Sequence, residues 1–204
     1  MTDVLTYQVP GVHTPKTKAG FAKMHSLLLA ADKLFSERSF SVVSVSDICK
    51  ESHTAVGTFY IYFDSKTDLY RYLMEIYKRQ IKGHLAEAIE NCQTRAERER
   101  EGIKCFIRYA VKNPNVYNII WGSLAVEKQM FEDYYVSFAE SYARALRKDK
   151  EELSSADVTS LAYILMGVTN FLGLRAIFED MSDDQINALV DQSIMPILGS
   201  GMFH

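Results

Sequence analysis

Apolar positions recur at three- and four-residue spacing through most of this chain. From Lys18, the residues Met24, Leu27, Leu28, Ala31, Leu34 and Phe35 fall on one face of a helix that ends near Ser39–Phe40. In SVVSVSDICKES, Ser44 and Asp47 make an S-x-x-D capping box ahead of Ile48, which predicts a short helix over about Val45–Glu51. Residues 52–54 (SHT) interrupt it, and a second short helix carries AVGTFYIY. Ser65 and Asp68 form another S-x-x-D box and open a long helix through Leu69, Leu73 and Ile76 past Ile81.

Beyond Asn91 a solvated charge run becomes amphipathic, with Ile103, Phe106, Ile107 and Ala110 on one face, and Asn113–Pro114 ends it. The short apolar piece VYNIIWGSL holds the only tryptophan, Trp121, and is expected to break at Gly122. A longer helix from about Val126 to Lys148 carries Phe131, Tyr134, Tyr135, Phe138 and Tyr142. Two more, over about Ser155–Phe178 and Ser182–Leu198, open on Ser/Asp caps. This makes about nine helices with no strand pattern, an all-α protein.

Two short helices joined by a three-residue turn, with a capped helix behind, form a helix-turn-helix arrangement. Ile48, Phe59 and Phe63 have the spacing to face inward, while Val56, Gly57 and Tyr60 face out. The run FSVVSVSDICKESHTAVGTFYIYFDSKTDLY resembles the N-terminal DNA-binding domain of TetR-family transcriptional regulators, and the preceding LLLAADKLFSERSF is similar to the family's first helix. The most specific part is the G-T-F-Y-x-Y-F-x-S-K core. Residues beyond this region match the family only in being helical.

That resemblance implies a role for each matched position. Ser44 and Ser46 fall where the family contacts phosphates or a base edge. Val56, Gly57 and Tyr60 fall on base-reading positions, Thr58 and Tyr62 on phosphate-holding ones, and Lys66 on a charged phosphate contact. The family's turn glycine is His53 here, and its usual serine or threonine and lysine are Ala55 and Val56. An exposed Val56 would read a thymine methyl instead of donating hydrogen bonds. The implied plan is a flexible arm over 1–17, a DNA-binding domain over 18–65, and a helical ligand-sensing and dimerisation domain over 66–204.

Charge agrees with that plan. The net charge of −3 over 204 residues hides an asymmetry, −1 over residues 1–15, +4 over residues 16–82 and −6 over residues 83–204, as if the basic part meets a polyanion. Three cysteines without a CxxC pair suggest a reducing, cytoplasmic setting, and five scattered histidines suggest no metal. No cofactor is implied. The first residues do not read as a signal peptide, and no apolar stretch reaches bilayer length in this reading.

The second half is expected to supply dimerisation and sensing. One short helix reads few base pairs, so a two-fold dimer on a palindromic operator is expected. Its surface would be the last two helices, about 155–198, since LAYILMGVTNFLGLRAIF is apolar nearly all round. Gly167 and Gly173 there either allow close helix approach or simply fit the core. Phe106, Tyr109, Tyr117, Trp121, Phe131, Tyr135, Phe138, Tyr142, Met166, Asn170 and Arg175 are candidates to wall a ligand pocket, or else pack the core. Arg175 would meet an anionic ligand or pair with Glu179 or Glu140. The function implied is a repressor released when a small, largely apolar or aromatic ligand displaces the helix beginning near Lys66. The alternative is a helix-turn-helix protein of DNA-associated assembly that needs no ligand. An enzyme is disfavoured because no nucleophile–base pair, metal spacing or phosphate-cradling glycine loop is present.

Overall fold

The structure, a computed structural model, describes residues 8–148 and 157–196. Among these residues there are nine α-helices and no strand: α1 Lys18–Glu37, α2 Val45–Glu51, α3 Val56–Tyr62, α4 Lys66–Ile89, α5 Arg95–Lys112, α6 Asn115–Val126, α7 Lys128–Lys148, α8 Val158–Phe178 and α9 Asp183–Ala188. A π-helical stretch, Leu189–Ile194, continues α9. The expected ends of the last two helices at 155–156 and 197–198 lie outside the described residues.

Caps set the helix starts. Thr17 accepts from the Gly20 amide to open α1, and Ser44 with Asp47 closes a reciprocal capping box on α2. Thr94 with Glu97 does the same for α5, as Ser182 with Gln185 does for α9. Asp157 opens α8 by accepting from the amides of Thr159 and Ser160.

The chain divides into two compact units. The first lies within Met1–Arg79 and Asn115–Glu132, the second within Gln80–Pro114 and Asp133–His204. Thus α6 and the start of α7, expected in a sensing domain running unbroken from residue 66, group with the helix-turn-helix instead. In the first unit Met24, Leu27 and Ala31 of α1 are fully buried with Ile48, Phe59, Phe63 and Leu69. The Tyr70 ring packs on Phe35 and Phe40, with centroids 5.0 and 5.5 Å away, and its hydroxyl donates to the Ile119 carbonyl at 2.6 Å. The chain does not break at Gly122, because α6 runs through it. A Cβ there would lie 2.8 Å from the Tyr70 hydroxyl, so this glycine makes room for a side chain and does not end a helix. Asn115 and Asn118 then bond to Asp32 and the Ser36 carbonyl of α1.

Residues expected as a loose arm pair with this unit. His13 N–H donates to the Tyr62 carbonyl at 2.8 Å, and Asp64 N–H to that of Gly11 at 2.9 Å. Gly11 has φ +73°, and a Cβ there would meet the Asp68 carboxylate at 2.4–2.8 Å.

In the second unit α5 packs on α8 and α9, around Ile103, Ile107, Leu161, Leu165, Ile186 and Val190. Lys104 and Arg108 of α5 tie the last segment down through Asp191 at 2.8 Å and Asp183 at 3.2 Å. The sequence analysis expects no apolar stretch of bilayer length; the 21 residues of α8 correct this, since they meet that test by length and composition. The helix is nonetheless the one against which α5 packs. Its outer positions Ile164, Phe171 and Phe178 are 53%, 69% and 80% exposed, and they repeat every seven residues.

Candidate nucleic-acid interface and effector cavity

The two short helices are held by a turn with a clear backbone signature. After α2, His53 adopts φ +54°. His53 N–H donates to Lys50 O and Thr54 N–H to Cys49 O, at 3.2 and 2.9 Å. These two bonds are the Schellman arrangement normally closed by glycine. The family's turn geometry is therefore kept with His in the glycine place. The following helix starts without help: Ala55 gives α3 no side-chain cap, and the Thr54 hydroxyl bonds Ser52 at 2.8 Å instead.

Within α3 the side chains sort by register. Phe59 and Tyr62 are buried, as is Phe63 after them, while Val56, Gly57, Tyr60 and Ile61 are exposed. These four form one outward face. A Cβ on Gly57 would touch nothing, and the Tyr60 ring is steadied edge-on against Phe59 at 5.2 Å. Thr58 is half-buried, and Ser44 and Ser46 are exposed at the start of α2. Ile61 was not among the expected contacts, although its place four residues after Gly57 on a short helix was the signal for it.

Two expected phosphate contacts sit otherwise. Tyr62 is only 6% exposed, and its hydroxyl faces Gly20 at the start of α1. Lys66 Nζ donates to the carbonyls of Phe40 and Val43 at 2.6 and 2.5 Å and stands 4.1 Å from the Phe40 ring centroid. Burial holds its pKa below the usual lysine range. This side chain joins the start of α4 to the α1–α2 loop.

The second unit contains a cavity of about 290 Å³, near the lower end for ligand sites. Phe106, Tyr135, Phe138, Tyr142, Met166 and Asn170 line it, six of the eleven residues named from sequence. Tyr109, Tyr117, Trp121, Phe131 and Arg175 do not. Tyr109 is buried and donates to Gln80 at 2.9 Å. Trp121 belongs to the first unit, edge-on to Tyr117, and Arg175 pairs at 2.9 Å with Glu179 on the surface.

Polar groups missed by the sequence reading also reach the cavity: Lys82, Arg95, Arg98, Glu99, Ser141 and Thr169. Arg95 and Glu99 form a buried ion pair four residues apart. The Tyr142 hydroxyl donates to Glu99, and burial raises the Tyr142 pKa above its ordinary value. Nothing in the charge pattern of RAEREREG distinguished the buried Arg95 and Glu99 from their solvated neighbours. Among the described residues no group of three or more His, Cys, Asp or Glu could hold a metal.

Comparison with known proteins bears on both regions. Residues 27–73 match the family model of bacterial regulatory proteins, tetR family. The HTH-type transcriptional regulator YvdT of Bacillus subtilis is 46% identical over 55 residues, 27% of this chain and 27% of that protein. The nucleoid occlusion factor SlmA of Actinobacillus pleuropneumoniae is 27% identical over 124 residues, 61% of this chain and 59% of that one. The matched stretches thus span less than two thirds of these relatives' own lengths. The solved structure of the transcriptional regulator FadR from Bacillus subtilis in complex with stearoyl-CoA has the same fold. Its TM-score is 0.70 at 20% identity, over 87% of this chain and 98% of that one.

Proposed function

Since this chain belongs to the tetR family of bacterial regulatory proteins, which are DNA-binding transcriptional regulators, we propose that it is a repressor. It would bind a palindromic operator as a homodimer and leave it when a small, largely apolar or aromatic ligand fills the cavity. The observation that carries this reading is the outward face of α3. Val56, Gly57, Tyr60 and Ile61 project together from a seven-residue helix small enough to enter the major groove, above a core that fixes their register.

Three features support the finer parts. The apolar stripe of α8 is a surface a second copy would cover, and its two-fold repetition would present two reading heads. The cavity is walled chiefly by aromatic and aliphatic groups, and a protein of the same fold, FadR, has been solved with stearoyl-CoA. Finally, α4 runs from Lys66 in the first unit to Ile89 in the second, so one continuous element belongs to both. Ligand binding that favours one α4 position would change operator affinity by its differential affinity for the two states. A cytoplasmic location, where the chromosome is accessible, follows from the same reading.

The test is a selection of bound DNA from a random pool, repeated with Val56→Ala and Tyr60→Ala proteins. An enriched palindrome whose preference is relaxed at particular positions by these variants is the expected result. No enriched palindrome would refute it. The likeness to SlmA favours a second reading, DNA-associated assembly without an effector. That reading would stand if operator affinity is the same whether the cavity is filled or empty.

A further inference from the structure

The outward face of α3 is defined as much by the chemistry it lacks as by the chemistry it carries. Val56 and Tyr60, four residues apart, form one row on this helix, and Gly57 and Ile61 form the next. All four are exposed, and so is Ala55 just ahead of them. The Tyr60 hydroxyl is the sole polar side-chain group among these five residues. A phenol both donates and accepts, so it does not by itself tell one base edge from another.

The side chains that read guanine and adenine most distinctly are Arg, Lys, Asn and Gln, and none stands between Lys50 and Lys66. Of the two carboxylates in that stretch, Glu51 meets Lys33 at 2.6 Å and Asp64 lies 2.7 Å from His13 Nε2. His53 belongs to the left-handed turn ahead of the helix, and the Thr54 hydroxyl is bonded to Ser52. What α3 offers a major groove is therefore hydrocarbon, and the base-edge group that answers to it is the C5 methyl of thymine. Gly57 points the same way. Glycine inside a helix weakens it relative to alanine, yet a Cβ here would touch nothing in the protein. The room it leaves is on the outside, where a groove edge can come close to the backbone.

We infer that α3 reads thymine methyl groups in each operator half-site, with Val56 and Ile61 as the contacts and Gly57 as the space that admits the groove edge. This deepens the DNA-binding reading above and rests on it.

The experiment takes the palindrome selected from the random pool by the full chain and replaces its thymines with deoxyuridine, one symmetric pair at a time. Uracil keeps every hydrogen-bonding group of thymine and lacks only the methyl, so affinities measured by fluorescence anisotropy isolate that contact. At the positions under α3 the loss should be roughly fourfold per methyl, or about fifteenfold for a symmetric pair. In Val56→Ala or Ile61→Ala protein, the replacement at the matching position should cost less than about twofold. Alanine favours the helix at both places, so these variants keep the fold. Gly57→Ala should raise Tm yet weaken binding to the all-thymine duplex by roughly tenfold. A palindrome with no thymine-dependent position, or uracil losses undiminished in both alanine variants, would overturn methyl readout and leave DNA binding in place. Failure to enrich any palindrome would remove the DNA-binding reading with it.

Discussion

The Nζ of Lys66 lies 2.5 Å from the carbonyl oxygen of Val43, across 23 residues of sequence. It also meets the Phe40 carbonyl, so one ammonium group gathers the loop that leads into the capping box of α2. The family resemblance places a phosphate contact at this lysine, whereas its geometry here is that of a tie. Lys66→Met would leave two carbonyls without their charged donor and should lower stability by about 2–3 kcal/mol. Measured at a temperature where the variant remains folded, operator binding should keep its salt dependence. A salt slope reduced by about 1 with an unchanged melting temperature would restore the phosphate role.

His53 occupies a left-handed position with φ +54° where only a side chain's absence is free of cost. Replacing it with glycine relieves that strain but loosens the unfolded chain, and the two effects partly oppose one another. The net expected for His53→Gly is a gain of about 0.5–1 kcal/mol, a rise of a few degrees in Tm. Thermal unfolding by circular dichroism checks it. A lower Tm would mean that the imidazole contributes a contact worth more than the strain.

Several helix starts carry a local signal, since Thr17, Ser44, Thr94, Asp157 and Ser182 all cap helices in the structure, whereas α3 starts on Ala55 with no side-chain cap. What could not be read was three-dimensional. Tyr60 and Tyr62 look equivalent in GTFYIYFDSK, but two residues is 200° on a helix, so one turns outward and the other inward. Gly122 looked like a break because its reason for being small is Tyr70, fifty-two positions away. Trp121 looked like a pocket wall because periodicity identifies an apolar face without saying which core receives it. Lys82 and Arg98 were invisible as cavity residues, since a solvated basic residue and a lining one have the same one-letter code.

Acid should weaken the Ser44–Asp47 cap in a defined direction. The side chain and backbone of Ser44 hydrogen-bond the Asp47 carboxylate and hold its pKa below the usual aspartate range. The unfolded chain then binds the proton more readily. Stability from this cap is fully present above about pH 4 and is lost as pH falls through the lower folded value. The difference in urea midpoint between the wild type and Asp47→Ala should therefore be largest near neutrality and shrink below about pH 3. A difference that is constant with pH would show that the ionised box contributes nothing.

Burial makes the Arg95–Glu99 pair on α5 the opposite case, since both side chains are almost wholly out of solvent. Glu99→Leu would strip Arg95 of its carboxylate and Tyr142 of its acceptor, at a cost of about 3–5 kcal/mol. Adding Arg95→Met should recover much of that loss, because the pair's mutual attraction mainly offsets the cost of burying both charges. Urea unfolding of the two variants decides it. A double variant no more stable than the single one would mean that packing, and not charge, fixes this site.

On α8, Ile164, Phe171 and Phe178 leave 53%, 69% and 80% of their surfaces exposed at a seven-residue repeat. Such a stripe drifts only slowly around a helix and so can meet a partner along its length. Monomeric proteins rarely leave large aromatic groups exposed in a row, which is why a second copy is the expected cover. Phe171→Glu would put a charge in the middle of that seam, where desolvation without a partner is costly. Sedimentation velocity should then report a monomer at concentrations where the wild type is a dimer, with the helical signal unchanged. Binding to a two-half-site operator should fall far more than binding to a single half-site. If Phe171→Glu and the Ile164→Glu, Phe171→Glu double variant both remain dimers, the association must use another face.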